Sequence, residues 1–340
     1  MAKMPSSYPT VERPHTMKGE TKEQGEAGKK RHRKRLIPVL VVLALLVVFV
    51  LVVMILNSRK PDRLNVEGIQ PKLNGSCFIR TNQALIRQML DDWLPNDLFW
   101  PTVFLDNMPN FQIGELEVVR YNTRVLRDNL SRMRTTDKLD SDADAAFTSL
   151  SNDPYRWWFP SAESKWKNAL AKLGAYHKNL ESGQSNFYPR ADNLVELLNQ
   201  YASLMGGVNT RLINAPGDIH KALTLDDTKK ETSSRIRMVD IDIPWYKIDD
   251  NFYYAQGVAY ALYESFKSIR RDFMAVLVDK NSLKLVDKIL ENLSRCNFEP
   301  LLVTNGDPDS IFANHSLNLS GVFNDARQKI NSLIVALKQG

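Results

Sequence analysis

Leu36 to Leu56 is an unbroken apolar run of 21 residues in which all but Pro38, Ala44 and Met54 are Leu, Val, Ile or Phe. As a helix it spans about 31 Å at roughly 1.5 Å per residue, close to the hydrocarbon thickness of about 30 Å, with Pro38 in the first turn where proline costs little. Large apolar side chains at roughly −0.3 to −0.6 kcal/mol each favour insertion by on the order of 5–10 kcal/mol, so the run predicts a transmembrane helix. It exceeds the roughly 7–15 residues of a signal-peptide core, and Asn57, Ser58, Arg59 and Lys60 form no small-x-small cleavage site, which makes it an anchor rather than a cleaved leader.

Beyond it the pattern is helical. Gly114 to Arg134 places Leu116, Val119, Thr123, Leu126, Leu130 and Met133 on one stripe. Ser161 to Glu181 does the same through Trp166, Leu170, Leu173, Tyr176 and Leu180, with Ser161 as N-cap and Gly183 as stop. Residues 190–205 form a third helix ended by Gly206 and Gly207, which predicts an antiparallel hairpin with the second. Phe252 to Val276 predicts one long helix, followed by helices at Leu283–Leu293 and Phe323–Leu337. Only Arg235 to Ile243 alternates as a strand does, with Leu301, Leu302 and Val303 as its candidate partner. The fold class is therefore all-α: one N-terminal transmembrane helix, then a helical domain with room for one small β-hairpin.

Charge locates the ends. The chain carries 45 Lys+Arg against 39 Asp+Glu, but residues 1–35 hold 10 of the former and 4 of the latter, leaving 35 of each beyond. The basic surplus belongs to a tail and not to the folded part, which removes the argument for nucleic-acid binding. Residues 1–35 read as a disordered basic tail, 36–56 as the span, and 57–76, with Pro61, Gly68, Pro71 and Gly75, as a linker. Two helical subdomains, 77–213 and 251–340, then flank a connecting segment at 214–250. Lys29, Lys30, Arg31, Arg33, Lys34 and Arg35 precede the span, against Arg59, Lys60 and Arg63 after it. This asymmetry keeps the N-terminus in the cytoplasm and exports the rest. The partners expected are the bilayer through residues 36–56 and anionic lipid headgroups at the basic tail.

Chemistry is sparse. Two Cys and five His show no metal-ligand spacing, and no Gly-rich phosphate loop or Ser-His-Asp set is recognisable, so neither metal nor cofactor is expected. Cys77 and Cys296 could close a long disulfide loop in an oxidising compartment or remain two buried thiols. Glu163-Ser164 near a helix start resembles the acid of lytic transglycosylases; with Trp157, Trp158 and Phe159 as an apolar wall it is the candidate catalytic residue of an alternative, peptidoglycan-cleaving reading. Set against this, a first-turn Glu ordinarily serves the helix dipole. Asp240-Ile241-Asp242 resembles a metal-binding motif of sugar-nucleotide transferases, but the α/β sheet those enzymes need is missing. Arg120, Arg124 and Arg127 share a helix face that could cradle phosphate or acidic glycan, or be paired locally by Glu117 and Asp128. Asp106, Asn107, Asn110 and Gln112, with Trp157 and Trp158, are the segments least explained by periodicity; they cap helix starts or face a ligand. Arg190 and Asp192, with Asp249 and Asp250, could form a polar cluster, and His315, in the string Asn314-His315-Ser316-Leu317, is a further candidate binding residue.

Several strings are more specific than any periodicity: Leu105-Asp106-Asn107-Met108-Pro109-Asn110-Phe111-Gln112, Leu126-Arg127-Asp128-Asn129-Leu130-Ser131-Arg132, Phe159-Pro160-Ser161-Ala162-Glu163, Arg190-Ala191-Asp192-Asn193-Leu194 and Asn314-His315-Ser316-Leu317. Together they resemble a family of bacterial single-span envelope proteins, domain of unknown function 2333, over nearly all of residues 75–338. The resemblance implies a bacterial inner-membrane protein with a periplasmic helical domain and supplies no activity. The functional expectation is accordingly a non-enzymatic binding or scaffolding module, its partner an unidentified envelope protein or glycan.

The basic residues before Leu36 predict that a reporter fused after Gly340 is active only if it requires export; activity of a cytoplasmic reporter there would reverse the topology.

Overall fold

The computed structural model describes residues 20–65, 73–98, 102, 105–134, 136–213, 222–224, 237–239, 248–300, 303–304 and 313–339. Asp240-Ile241-Asp242 and most of the connecting segment lie outside them. The chain divides into two units, Met1–Ile55 and Leu56–Gly340. The first holds most of α1 (Glu20–Asn57), in which Pro38–Asn57 is long and apolar enough to cross a membrane. The helix begins 16 residues before Leu36, where sequence predicted a disordered tail, and Pro38 is consequently in its interior rather than its first turn. The Glu, Lys, Ala and Arg residues ahead of the span are good helix formers, and propagating an existing helix is cheap where nucleating one is not.

The body is built around α3 (Asn107–Val125) and α7 (Ile248–Asp272), which run parallel along their lengths. α7 is the central helix, buried on nearly every side from Phe252 to Asp272. α2 (Ser76–Asp91) and α9 (Leu283–Arg295) flank it, and the short α8 (Met274–Asp279) follows a break at Phe273 in what periodicity read as one helix. α4 (Ser141–Leu150) pairs with α5 (Ala162–Glu181), and α6 (Ala191–Ile213) with α10 (His315–Lys338). The expected α5–α6 hairpin is thus replaced by two other pairings. The helices of 77–213 and 251–340 share one core, α3 lying on α7 and α6 on α10, and do not form separate subdomains.

Gly206 and Gly207 do not stop α6. Gly206 makes room for the Arg327 guanidinium, whose Nε donates to Ala202 O at 3.0 Å across to α10. Ser161 does cap α5, accepting from Ser164 N, and a π-turn at Leu126–Leu130 extends α3. A small antiparallel pair is present: Arg237–Val239 (β2) pairs with Ala222–Thr224 (β1), Leu223 opposite Met238, while Leu301 and Leu302 of the expected partner strand lie outside the described residues.

α3 and α7 touch backbone to backbone. A Cβ on Gly257 would fall on the Phe111 carbonyl, and one on Gly114 on the Tyr254 carbonyl. Further along the contact, Asn122 Nδ2 donates to Ser265 Oγ and to Asn82 Oδ1, both at 2.9 Å, while the Tyr201 hydroxyl donates to Asn122 Oδ1. One buried amide thereby joins α2, α3, α6 and α7, and its satisfaction fixes their register. Gly257→Ala is expected to lower stability by about 2–3 kcal/mol or more in denaturation of the detergent-solubilised protein, since main chain cannot retreat as a side-chain tip can. Gly207→Ala, with open space around it in the same kind of helix, should leave stability unchanged or raise it by up to about 1 kcal/mol.

Candidate functional site

The parallel core helices give the body two ends. At the near end the chain arrives from α1, and the N-termini of α3, α5 and α7 meet the C-terminus of α2. Residues 57–65, expected to be a free linker, are packed along α7. Lys60 Nζ donates to Phe298 O at 3.3 Å, the Tyr260 hydroxyl donates to Asp62 O at 2.7 Å, and Arg63 lies 4.0 Å over the Tyr263 ring. Leu64 is held at both backbone atoms: its N–H donates to Glu264 Oε1 at 3.3 Å and its carbonyl accepts from Lys267 Nζ at 2.9 Å. Cation–aromatic contacts and backbone bonds, neither visible in apolar periodicity, turn the segment into a strap.

Under the strap lie two carboxyls. Glu115 is 1% exposed and one of its oxygens has no hydrogen-bond partner; burial, and then the charge of Glu264, hold it well above the usual carboxylate range. Glu264 is fully buried and raised by burial, against which Lys267, 3.2 Å from its Oε2, and Arg63 act. Glu115 also borders a partly open pocket of about 120 Å³ lined by Leu56, Asn57, Arg59, Pro61, Gln88, Asp92 and Gln112, room enough for a few waters. Spacing contains the signal for Glu115: it falls with Phe111, Val118 and Asn122 on the buried stripe of α3, where a charged residue is out of place.

The amide-rich string forms the near end of α3. Asp106 is the N-cap, accepting from Asn107 N, and Asn110 Nδ2 donates to Asp106 O at 2.9 Å and to Asp250 Oδ1 at 2.7 Å. Gln112 accepts from Leu94 N at 3.0 Å and donates to Asp92 O, closing the turn after α2. Asn110 and Gln112 are therefore structural, and the cap is Asp106. Oxygens of Asp106, Asp249 and Asp250 lie within 4.8 Å of one another and could hold a cation. Two helix N-termini point at this spot, and their dipoles already favour the carboxylates; burial and the charge of Asp106 raise Asp249.

Beside this cluster, Trp93 Nε1 donates to Pro154 O at 3.1 Å, and Asn96 Nδ2 to Glu163 Oε1 at 3.0 Å. These bonds hold the base of a loop whose tip is bare: Tyr155, Trp157, Trp158 and Phe159 are 55–81% exposed. The two indoles meet edge to face at 5.7 Å. The aromatic wall expected around Glu163 is thus turned outward, and Glu163 is held by Asn96.

The remaining candidates lie elsewhere, several of them at the far end. Ser76 Oγ lies 2.7 Å from His177 Nε2, and His177 Nδ1 lies 3.7 Å from Glu181, a Ser-His-Glu arrangement that sequence separation had hidden. The backbone N–H groups beside Ser76, of Gly75, Cys77 and Phe78, are turned to Asp272, whose carboxyl burial pushes up to about 6. They are not free to stabilise an oxyanion, and the Ser76–His177 bond serves to tie α2 to α5. Cys77 packs at this end, while Cys296 is beside Gln256, 16 residues from Asp272 along α7 and so about 24 Å away at about 1.5 Å per residue. Both thiols are free and buried, and the possible Cys77–Cys296 disulfide does not form. Arg190 pairs with Asp192 and donates to Met133 O, at the opposite end of α3 from Asp249 and Asp250, so the proposed four-residue cluster is not assembled. His315 Nδ1 accepts from Thr304 N at 3.0 Å and the His315 backbone N–H donates to Thr304 O, tying Thr304 to the start of α10.

Arg120, Tyr121, Arg124 and Phe147 line an open groove of about 250 Å³. Arg120 spends its guanidinium on Leu150 O, Asn152 O and Glu117, and Arg127 on Asp128, Asp144 and the Phe147 ring. Local pairing, not an anion cradle, is what these arginines do.

These features define an all-α protein in which one N-terminal helix is long and apolar enough to cross a membrane. More narrowly, the chain belongs to the family of uncharacterised proteins conserved in bacteria, DUF2333, whose model matches residues 30–340. No curated protein and no solved structure matches it.

The buried carboxyl gives a pH signature. Glu115 binds its proton more tightly folded than unfolded, so its contribution is complete below about 4.3, the ordinary glutamate value, and is lost as pH rises through its raised value. Melting temperature should fall with increasing pH through that range, and Glu115→Gln should flatten the fall. An unchanged profile in the variant would show that Glu115 is not the group responsible.

Proposed function

We propose that this protein is a membrane-anchored, non-enzymatic docking module of the bacterial envelope. In this reading α1 is the anchor, the N-terminus is cytoplasmic with its basic residues against anionic headgroups, and the body is periplasmic. The observation that carries the docking role is the aromatic tip Tyr155–Phe159. Trp93 and Trp166 spend their indole N–H groups inside, on Pro154 and Asn152, whereas Trp157 and Trp158 make no hydrogen bond among the described residues. Four exposed aromatics on one braced loop exceed what a solvated surface ordinarily carries. The six basic residues before the span support the orientation.

The alternative, peptidoglycan cleavage with Glu163 as acid, has less to rest on, because its carboxyl is held by Asn96 and its aromatic neighbours face outward. It requires anhydro-muropeptide release by the full-length protein, abolished in Glu163→Gln; the docking reading expects none. A photoreactive side chain at position 156, inside the aromatic tip, should give an adduct with an envelope component in cells, while one at Val278, exposed at the far end, should not. No adduct of any kind at 156 would overturn the docking role.

A further inference from the structure

Building on that reading, we infer that the surface contacted by Trp157, Trp158 and Phe159 is the bilayer itself: the loop is a second, interfacial membrane contact of the chain. The geometry rests on α2 and the turn that follows it. Asp92 lines the pocket together with Leu56 and Asn57, the last two residues of α1. One residue later Trp93 holds Pro154, and four residues later Asn96 reaches Arg156 O at 3.4 Å. Asp92 and Asn96 are at most about 14 Å apart at about 3.6 Å per residue, so the base of the loop lies within that distance of a residue that lines one pocket with Leu56 and Asn57.

The side chains suit that position. Tyr and Trp concentrate at membrane–water interfaces because a ring that prefers hydrocarbon carries a polar group that prefers water, and each aromatic side chain can bury about 150–250 Å². Trp157 and Trp158, 55% and 66% exposed, and Phe159 at 81% present such area on one side only, the other side of the loop being bonded to the body. A glycan or protein partner would meet the same rings, but the nearest extended apolar phase is the one the chain has just left. Asp106, Asp249 and Asp250 gather at this end as well, so attraction to anionic headgroups is not what would hold the loop. Insertion should therefore persist in uncharged lipid.

The test uses the full-length protein in phosphatidylcholine vesicles. Cys77 and Cys296 are buried, so Arg156→Cys offers an exposed thiol for an environment-sensitive fluorophore while leaving the three aromatics in place. Its emission should shift to the blue and be quenched by lipids carrying a nitroxide near the headgroup. The same label at Val278→Cys should be neither shifted nor quenched. Adding Trp157→Ala, Trp158→Ala and Phe159→Ala to Arg156→Cys should abolish both effects; if that combination fails to fold, Trp158→Ser takes its place and should reduce the quenching. Absence of quenching at 156 overturns the inference. If that label is instead shielded by added peptidoglycan fragments, or position 156 yields only a protein adduct in cells, the docking role stands and the bilayer is not its target. If neither lipid, glycan nor protein responds at 156, both readings fall together.

Discussion

The contact between the main chains of α3 and α7 is the constraint from which the rest of the body follows. Gly114 and Gly257 leave no space for a methyl group against Tyr254 and Phe111, so the axes approach more closely than side-chain packing allows. Eight residues on from each glycine, Asn122 and Ser265 meet at 2.9 Å, so the close crossing and the polar register agree along about two turns. Parallel neighbours cannot be joined by a short turn, and the chain between them supplies the outer layer of α4, α5 and α6. The same parallel arrangement brings positive helix ends together, which accounts for the carboxylates of Asp106, Asp249 and Asp250 without a ligand.

A buried core this close to main chain is unusual in carrying Glu115 and Glu264. Burial raises both and the charge of Glu264 raises Glu115 further, but only Glu264 is compensated: Lys267 of α7 and Arg63 of the strap act on it, while Glu115 has no such cation. Because Leu64 donates to Glu264 and Lys267 donates back to Leu64, the segment leaving the apolar span is bonded to the charge balance of the core. Residues 60–64 are therefore a fixed part of the body.

Periodicity made α5 and α9 legible because each has one buried face and an uncomplicated start. It missed α2, whose buried positions include Ser76, Thr81, Asn82 and Gln83, and it missed α4, only ten residues long. It cut α6 at two glycines because a glycine that admits a neighbouring arginine looks in sequence like one that ends a helix. Of the candidate site, the aromatic loop and the amide string could be singled out as unexplained by packing, and the structure places both at the near end. The strap could not be, since its contacts join residues about 200 positions apart through rings and carbonyls. Nor could Ser76 and His177, which meet across 101 residues.

The strings by which the family is recognised take on a common meaning once placed. Leu105 to Gln112 caps and opens α3, Leu126 to Arg132 is the π-turn that closes it, Phe159 to Glu163 starts α5, Arg190 to Leu194 starts α6, and Asn314 to Leu317 caps α10. Helix ends tolerate few residue types, because a cap must present the right acceptor to a particular N–H, so such strings record architecture before chemistry. Phe159 departs from this logic. Capping α5 requires Ser161, and nothing in that cap requires a phenyl ring four-fifths exposed next to two exposed indoles. A side chain that the fold does not use, on a loop that the fold holds firmly, is available to an external surface, and this is why the proposed docking role rests on the aromatic tip rather than on the buried carboxyls.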